Sequence, residues 1–334
     1  MTATSVQVEA FDKGAASPQE RLAAAELIMA CYAAAYPEDP PLVQGQVAAT
    51  LGDHLPDERV LPFMVRRGQQ VIGWAKLEFS LTQNLHAAHA NIMVHPEHRR
   101  AGVGRALAAT VEQQARQYGR RLVTFMTSDR VPAAQAFADN LGGEAALPMR
   151  QSQLVVGDVS AELLDHWCTR PEADPYQLHV WTTLPEEYLS RAADLMGVMN
   201  SAPRGDLDVE DWTITPDMIR GWEAMMAKEG EVCLTLAAED PATGTLAGYT
   251  QLFWHPQRAS IAYQGATGVR PEYRGTGLGK WLKAAALREL PTCCPGTHFI
   301  RTNNANVNAA MLAINVQMGF LPYAALTEWQ IKLD

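Results

Sequence analysis

Arg270-Pro-Glu-Tyr-Arg274-Gly-Thr-Gly277-Leu-Gly279-Lys-Trp-Leu282 follows directly on a mostly apolar run, Ala262-Tyr-Gln-Gly-Ala-Thr-Gly-Val269. A strand that enters a glycine-punctuated turn and leaves as a helix is the local pattern of a crossover in an α/β sheet. After the turn, Leu278, Trp281, Leu282, Ala285 and Ala286 recur at helical spacing, so the helix begins at once. The same reading applies earlier in the chain. His89-Ala-Asn-Ile-Met-Val94 runs into His95-Pro-Glu-His-Arg99-Arg-Ala-Gly102-Val-Gly104-Arg-Ala-Leu107, where Val103, Ala106, Leu107, Thr110 and Val111 mark the helix. The two stretches align without a gap from the Pro-Glu pair onward, 175 residues apart, the length of an ordinary domain.

Flanking segments repeat as well. A helix over Pro18 to Ala35 and strands over Val60 to Arg66 and Val71 to Leu81 precede the first copy. A helix over Glu186 to Met199 and strands over Val232 to Ala238 and Leu246 to Trp254 precede the second. Turn signals join each strand pair, Arg67-Gly68 in one and Asp240 to Gly244 in the other. Downstream of each copy come a helix, a strand (Arg121 to Ser128; His298 to Thr302) and a second helix. The chain therefore reads as α/β, or α+β, with two tandem domains: residues 1–158, a linker over 159–175 that holds a short helix from Ser160 to Cys168, and 176–334.

The glycine turn has a chemistry of its own. The first turn of a helix carries unpaired N–H groups and the positive end of the dipole, and glycines let an anion approach that backbone. Arg100, Arg105 and Lys280 add charge beside it, so a pyrophosphate suits the turn; the alternative is a glycine-rich connection with no ligand. Walker A spacing fails because Gly279-Lys280 is followed by Trp281, and the glycine order Gly275, Gly277, Gly279 fails the dinucleotide fingerprint. The formal net charge of −10, with no basic stripe, excludes a nucleic-acid binder and weakly favours a cationic partner. No apolar run is long enough to span a membrane, and no signal h-region opens the chain, so a cytoplasmic location is expected. Five cysteines and nine histidines show no metal-ligand spacing, so no metal is expected. Cys293-Cys294 reads as part of a proline-bounded loop.

Arg99-x-x-Gly102-x-Gly104 and Arg274-x-x-Gly277-x-Gly279 each resemble the Gln/Arg-x-x-Gly-x-Gly/Ala coenzyme A signature of GNAT acetyltransferases. In the second copy, Asn308-Ala-Ala-Met311-Leu-Ala-Ile-Asn315-Val-Gln-Met-Gly319-Phe320 also resembles the family's second characteristic segment. With the Trp329-Gln330 ending, the whole chain is similar to tandem GNAT proteins of the mycothiol synthase type. The resemblance implies, in each domain, a mixed, mostly antiparallel central sheet with splayed middle strands and flanking helices. It also implies an acetyl-CoA or coenzyme A cofactor. Its pyrophosphate would lie on Arg99, Arg100, Gly102, Val103, Gly104 and Arg105 in the first copy, and on Arg274, Gly275, Gly277, Leu278, Gly279 and Lys280 in the second. Its pantetheine would pair with the strand at Val94 or Val269 and meet Asn303 and Asn308. In the first copy Val131 replaces the Asn308 position, which makes that copy the weaker one.

The reaction the resemblance implies is direct attack of a primary amine on the acyl thioester. The family's acid, a tyrosine, is replaced by Asn315 in the second copy and Ala138 in the first; Tyr263 and Tyr323 are candidate substitutes or ordinary sheet residues. For a base, the acidic loop with Asp206, Asp208, Glu210 and Asp211 either lines an acceptor pocket or is a solvated loop before a helix capped by Asp211 or Thr215. The expected activity is N-acetylation of a small-molecule amine by the second domain. A non-catalytic acyl-CoA-binding protein is the alternative, and a tandem aminoacyl-type transferase is a more remote one.

Overall fold

A computed structural model describes residues 6–171 and 174–333; two residues of the expected linker, 172 and 173, lie outside it. The chain divides into two compact units that are not uninterrupted stretches of sequence. One comprises Met1–Leu147, Asp206–Glu210 and Leu326–Asp334, and the other Pro148–Gly205 and Asp211–Ala325.

The first unit contains β1 (Glu9–Ala10), α1 (Pro18–Ala35), α2 (Gln44–Thr50), β2 (Glu58–Arg67), β3 (Gln70–Ser80), β4 (Ala87–Val94), α3 (Val103–Gln117), β5 (Leu122–Ser128), α4 (Ala133–Asn140) and the start of β6 (Glu144–Val155). Ser17 and Glu20 close a capping box on α1, with Pro18 in its first turn, so the start of that helix is written in four residues. The rest of β6 opens the second unit. It continues with α5 (Ala161–Cys168), β7 (Gln177–Trp181), α6 (Leu189–Met196), α7 (Pro216–Glu229), β8 (Val232–Asp240), β9 (Thr245–Trp254), β10 (Ile261–Val269), α8 (Leu278–Cys293), β11 (Phe299–Ala305), α9 (Ala309–Met318) and the start of β12 (Leu321–Lys332).

In the first unit the strands run β1-β2-β3-β4-β5-β12, and in the second β6-β11-β10-β9-β8-β7. The last strand of each half of the sequence is thus exchanged. Leu326 to Lys332 of β12 pair antiparallel with Ser128 to Leu122 of β5, while Met149 to Val155 of β6 pair antiparallel with Ala305 to Phe299 of β11. The exchange is cemented by burial: Leu333 enters the first unit's core, Trp329 is buried beside Phe125, and Leu154 enters the second unit's core. Among the described pairings, β4–β5 and β10–β11 are the parallel ones, so each sheet is mixed and mostly antiparallel, as expected.

A glycine on the strand beneath each crossover helix brings helix and sheet together. A side chain at Gly73 would collide with Val103 of α3 at 2.5 Å, and one at Gly248 would meet Leu282 of α8 at 3.3 Å. The expected Cys293-Cys294 loop is corrected here: α8 runs through Pro291 to Cys293. Proline removes one helix bond, but Leu287, Leu290 and Cys294 are buried in the core and hold that last turn in place. Among the described residues, no helix is long and apolar enough to cross a membrane, and no group of three or more His, Cys, Asp or Glu residues is placed to hold a metal ion.

Candidate active site

In both units the two parallel middle strands pair only at their beginnings. β4 meets β5 over Ala87–His89 against Leu122–Thr124, and β10 meets β11 over Ile261–Gln264 against Phe299–Thr302. Beyond those residues the strands part, leaving Ala90–Val94 and Gly265–Val269 with a free edge on that side. A free edge of this kind accepts an extended chain that carries amide groups.

Each free edge ends at a cradle. Gly102 and Gly277 are the N-caps of α3 and α8, both at φ +83°, a left-handed conformation that lets the chain turn sharply into the helix. No side chain caps either helix, and the first backbone bonds made to the caps come from Ala106 and Trp281. The N–H groups of Val103 to Arg105 and of Leu278 to Lys280 therefore face the turn without intrahelical acceptors. Gly104 and Gly279 face the second helix of each unit: a Cβ there would make ordinary van der Waals contact with Phe137 of α4 at 3.4 Å and with Ile314 of α9 at 3.5 Å.

The motif arginines brace the turns. Arg274 donates from Nε to the Val269 carbonyl at 3.1 Å and from Nη2 to Ser201 Oγ at 2.8 Å; Arg99 donates from Nε to the Val94 carbonyl at 3.4 Å. Arg170, which no motif singles out, donates to the Thr276 carbonyl at 3.1 Å and lies over the Trp281 ring. Its Nη2 pairs with Asp174, and its Nε is buried without a partner. Lys280 lies over the Trp167 ring.

The copies differ at the turn. Where the second has Gly275 at φ +81°, the first has Arg100 at φ +67°, a conformation that costs a side-chain-bearing residue about 1–2 kcal/mol. Arg100→Gly relieves that cost while loosening the unfolded chain. We expect urea unfolding to show unchanged or slightly raised stability, in contrast to the loss a glycine brings at an ordinary loop position.

The second unit also has a bulge that the first lacks. Gln264 stands opposite Leu252 and Thr267 opposite Thr250, so Gly265 and Ala266 face the single residue Gln251, whose carbonyl is taken by Gln264 Nε2 at 2.7 Å. The extra residue leaves one backbone amide more than the β9 ladder can pair, on the stretch of β10 whose other side is free. In the first unit β4 runs against β3 from His89 to Val94 without interruption.

Side chains beside the two splays are of opposite character. In the second unit Thr302, Asn304 and Asn315 lie there, with Asn315 donating from Nδ2 to Asn304 Oδ1 at 2.7 Å; its Oδ1 is buried without a partner. Asn308 is the N-cap of α9, its side chain accepting from the Met311 N–H, and Asn303 accepts from Gln151 Nε2 at 3.1 Å. Beneath the splay Lys283 is wholly buried. Its Nζ donates to Gln264 Oε1 at 3.1 Å and lies over the Phe320 ring, and burial pushes its pKa down to about 7. Tyr263 lies opposite Arg301, whose guanidinium stacks on Tyr323 at 3.8 Å.

Asp206, Asp208 and Glu210 are exposed, and it is their backbone that is held, by the first unit. Asp206 N–H donates to the Ala146 carbonyl and Asp208 N–H to Gln330 Oε1. Glu210 N–H donates to Asn84 Oδ1, and His86 Nε2 lies 2.8 Å from the Asp208 carbonyl. Asp211 pairs with Arg204, and Thr215 caps α7.

A mixed sheet whose parallel pair splays beside a helix start with free N–H groups, built twice, suits an anion at the turn and an extended amide-bearing chain along the free edge. The sequence model of the Acetyltransferase (GNAT) family matches residues 22–142 and 196–320, and the chain belongs to that family. Its relatives include mycothiol acetyltransferases from Nocardiopsis dassonvillei, 28% identical over 247 residues (69% of this chain, 70% of the relative), and from Mycobacterium leprae, 27% identical over 272 residues (78% and 79%). A solved tandem GNAT protein from the clavulanic acid biosynthesis pathway is 25% identical and superposes over 98% of both chains with a TM-score of 0.79. A GCN5-related N-acetyltransferase from Sphaerobacter thermophilus shares the fold at a TM-score of 0.65 and 16% identity. The protein is an N-acetyltransferase of the GNAT type, from a family whose members use acetyl-CoA.

Proposed function

We propose that the second unit transfers an acetyl group from coenzyme A to the primary amine of a small molecule, and that the first unit binds coenzyme A without transferring from it. The observation that carries this is the bulge at Gly265–Ala266, on the stretch of β10 whose side toward β11 is free, between the splay and the cradle. A pyrophosphate suits the N–H groups of Leu278, Gly279 and Lys280, with Arg170 beside them, and a pantetheine arm suits the edge from Gly265 to Val269. The amide left over by the bulge is then the donor for an oxyanion at the thioester carbonyl. The amine nitrogen, in its unprotonated form, bonds to that carbon; the C–S bond breaks, and the ammonium proton passes to solvent. With Asn315 in place of an acid, the sulfur leaves as a thiolate, which a thiol pKa of about 8.5 makes tolerable near neutral pH. The unpartnered Asn315 Oδ1 fits the amide N–H of the arm.

The test is acetyl-CoA-dependent thiol release across a panel of small amines, with product mass confirmed. The proposal expects release stimulated by at least one amine and a product heavier by one acetyl group. If no amine in a broad panel stimulates release while coenzyme A still binds, the chain is an acyl-CoA-binding protein instead.

A further inference from the structure

The bulge in β10 is fastened from the face that α8 covers. Gln264, the last residue before it, is buried, and both ends of its side-chain amide are engaged. Its Oε1 accepts from Lys283 Nζ at 3.1 Å, and its Nε2 donates to the Thr250 hydroxyl at 2.9 Å and to the Gln251 carbonyl at 2.7 Å. The Thr250 hydroxyl is in turn 2.7 Å from that of Thr267, the first residue paired again after the bulge. Both feet of the bulge are thus tied to one buried hydroxyl on β9, and Thr302 Oγ1 of β11 donates to the Gln264 carbonyl at 3.4 Å. A carbonyl only accepts and an ammonium only donates, so between Gln251 and Lys283 the Gln264 amide fits in one orientation.

What the fastening does follows from the residue it holds. Gln251 is the one β9 residue that Gly265 and Ala266 both face, so its carbonyl is the ladder acceptor open to a bulge amide. Gln264 Nε2 already serves that carbonyl, and the spare amide is not drawn back into the ladder. The first unit supplies the comparison. Ala90 stands opposite Leu77 on β3 as Gln264 stands opposite Leu252 on β9, and Ala75 precedes Leu77 by two residues as Thr250 precedes Leu252. Ala108 follows Gly104 by four residues as Lys283 follows Gly279. All three network positions are therefore alanine in the first unit, and there β4 runs along β3 without a bulge. Burying a lysine is costly where methyl groups would close the same floor, so the network has work beyond filling space.

We propose that Lys283, Gln264 and Thr250 are positioning residues for acetyl transfer, their network holding the bulge open so that its spare amide stays available to the thioester carbonyl. The proposal rests on the second unit's transferring acetyl at this bulge, and its test separates the two. Full-length Lys283→Met/Gln264→Leu removes both partners of the central bond, so neither is left buried and unpaired. With an amine that the wild type acetylates, kcat is expected to fall about 100-fold, the scale of one lost oxyanion donor, while KM for acetyl-CoA and calorimetric affinity for coenzyme A stay within about twofold. Thr250→Val keeps the shape and removes the shared hydroxyl, and its kcat is expected to fall about tenfold. Thr250→Ser, which restores the hydroxyl, is expected to recover it. Deuterium uptake over Gly265 to Val269 reads the bulge itself, and the double variant is expected to protect one more amide than the wild type. If the double variant loses its folded melting transition, the Thr250 pair carries the test. An unchanged kcat, equal uptake, coenzyme A affinity that falls in step with kcat, or a serine variant as slow as the valine one overturns the positioning role while the transfer reading stands. Absence of transfer by the wild type to any amine overturns both.

Discussion

Gly277→Glu is expected to cut the affinity of the second site for coenzyme A by at least about 100-fold and to abolish acetyl transfer, while leaving the first site intact. A carboxylate about 4 Å from a phosphate is repelled by roughly 4 kcal/mol at the effective dielectric of a protein surface, nearly a thousandfold. The substitution also crowds Arg170, whose Nη1 is 3.2 Å from where the new Cβ would lie and whose Nη2 is already paired with Asp174. Gly277→Ala controls for strain at φ +83° without the charge and is expected to lose far less. Gly102→Glu is the mirror experiment: it removes the first site and leaves transfer running. Calorimetry gives the stoichiometry, two sites in the wild type and one in each variant, and thiol release gives the activity. Transfer that persists in Gly277→Glu and disappears in Gly102→Glu would reverse the assignment of the two units.

Lys283→Met is expected to make the protein more stable at pH 7 and to remove a pH dependence rather than add one. In the folded chain the ammonium loses its proton near pH 7, because the site offers it one amide oxygen and an aromatic face in place of water. In the unfolded chain it holds that proton to about pH 10.4. Between these values the unfolded state binds more protons, so stability rises with pH by up to about 1.4 kcal/mol per unit, and below pH 7 the term is constant. Methionine fills a similar volume with no charge to bury, but it leaves Gln264 Oε1 without its donor, at about 1–3 kcal/mol. The difference between variant and wild type in urea unfolding should favour the variant by about 2 kcal/mol at pH 7 and vanish or change sign by pH 10. Parallel stability curves across that range would mean that the buried amine is not what titrates.

These two residues also mark how much could be seen in the sequence. Gly277 was legible because a left-handed turn before a helix leaves a mark that few residues can make, and the mark occurs twice in register. The strand pairs and crossover helices were legible for the same reason, since local periodicity fixes them and the second copy repeats them. Lys283 was not. A lysine beside Leu282 on a helix reads as solvated, and only the fold reveals that α8 is buried on nearly every side along that stretch. The acidic loop failed to speak for another reason. Its carboxylates suggested a site, yet what fixes its place is backbone hydrogen bonding to Asn84 and Gln330, more than a hundred residues away in either direction. Nor does alternation along β6 or β12 name the strand beside it, because side-chain period gives the face of a strand and not its neighbour.

That exchange of final strands has a genetic meaning. After an ordinary duplication either copy is free to decay or be deleted while the other carries on. Here, a deletion that removed the second copy would also take Leu326 to Lys332 from beside β5, and one that removed the first would strip β11 of Met149 to Val155. Each survivor would be left with a bare sheet edge and an opened core. The two copies are thereby bound to a common inheritance: their clefts can diverge, as the bulged ladder of one and the uninterrupted ladder of the other show, but neither copy can be discarded.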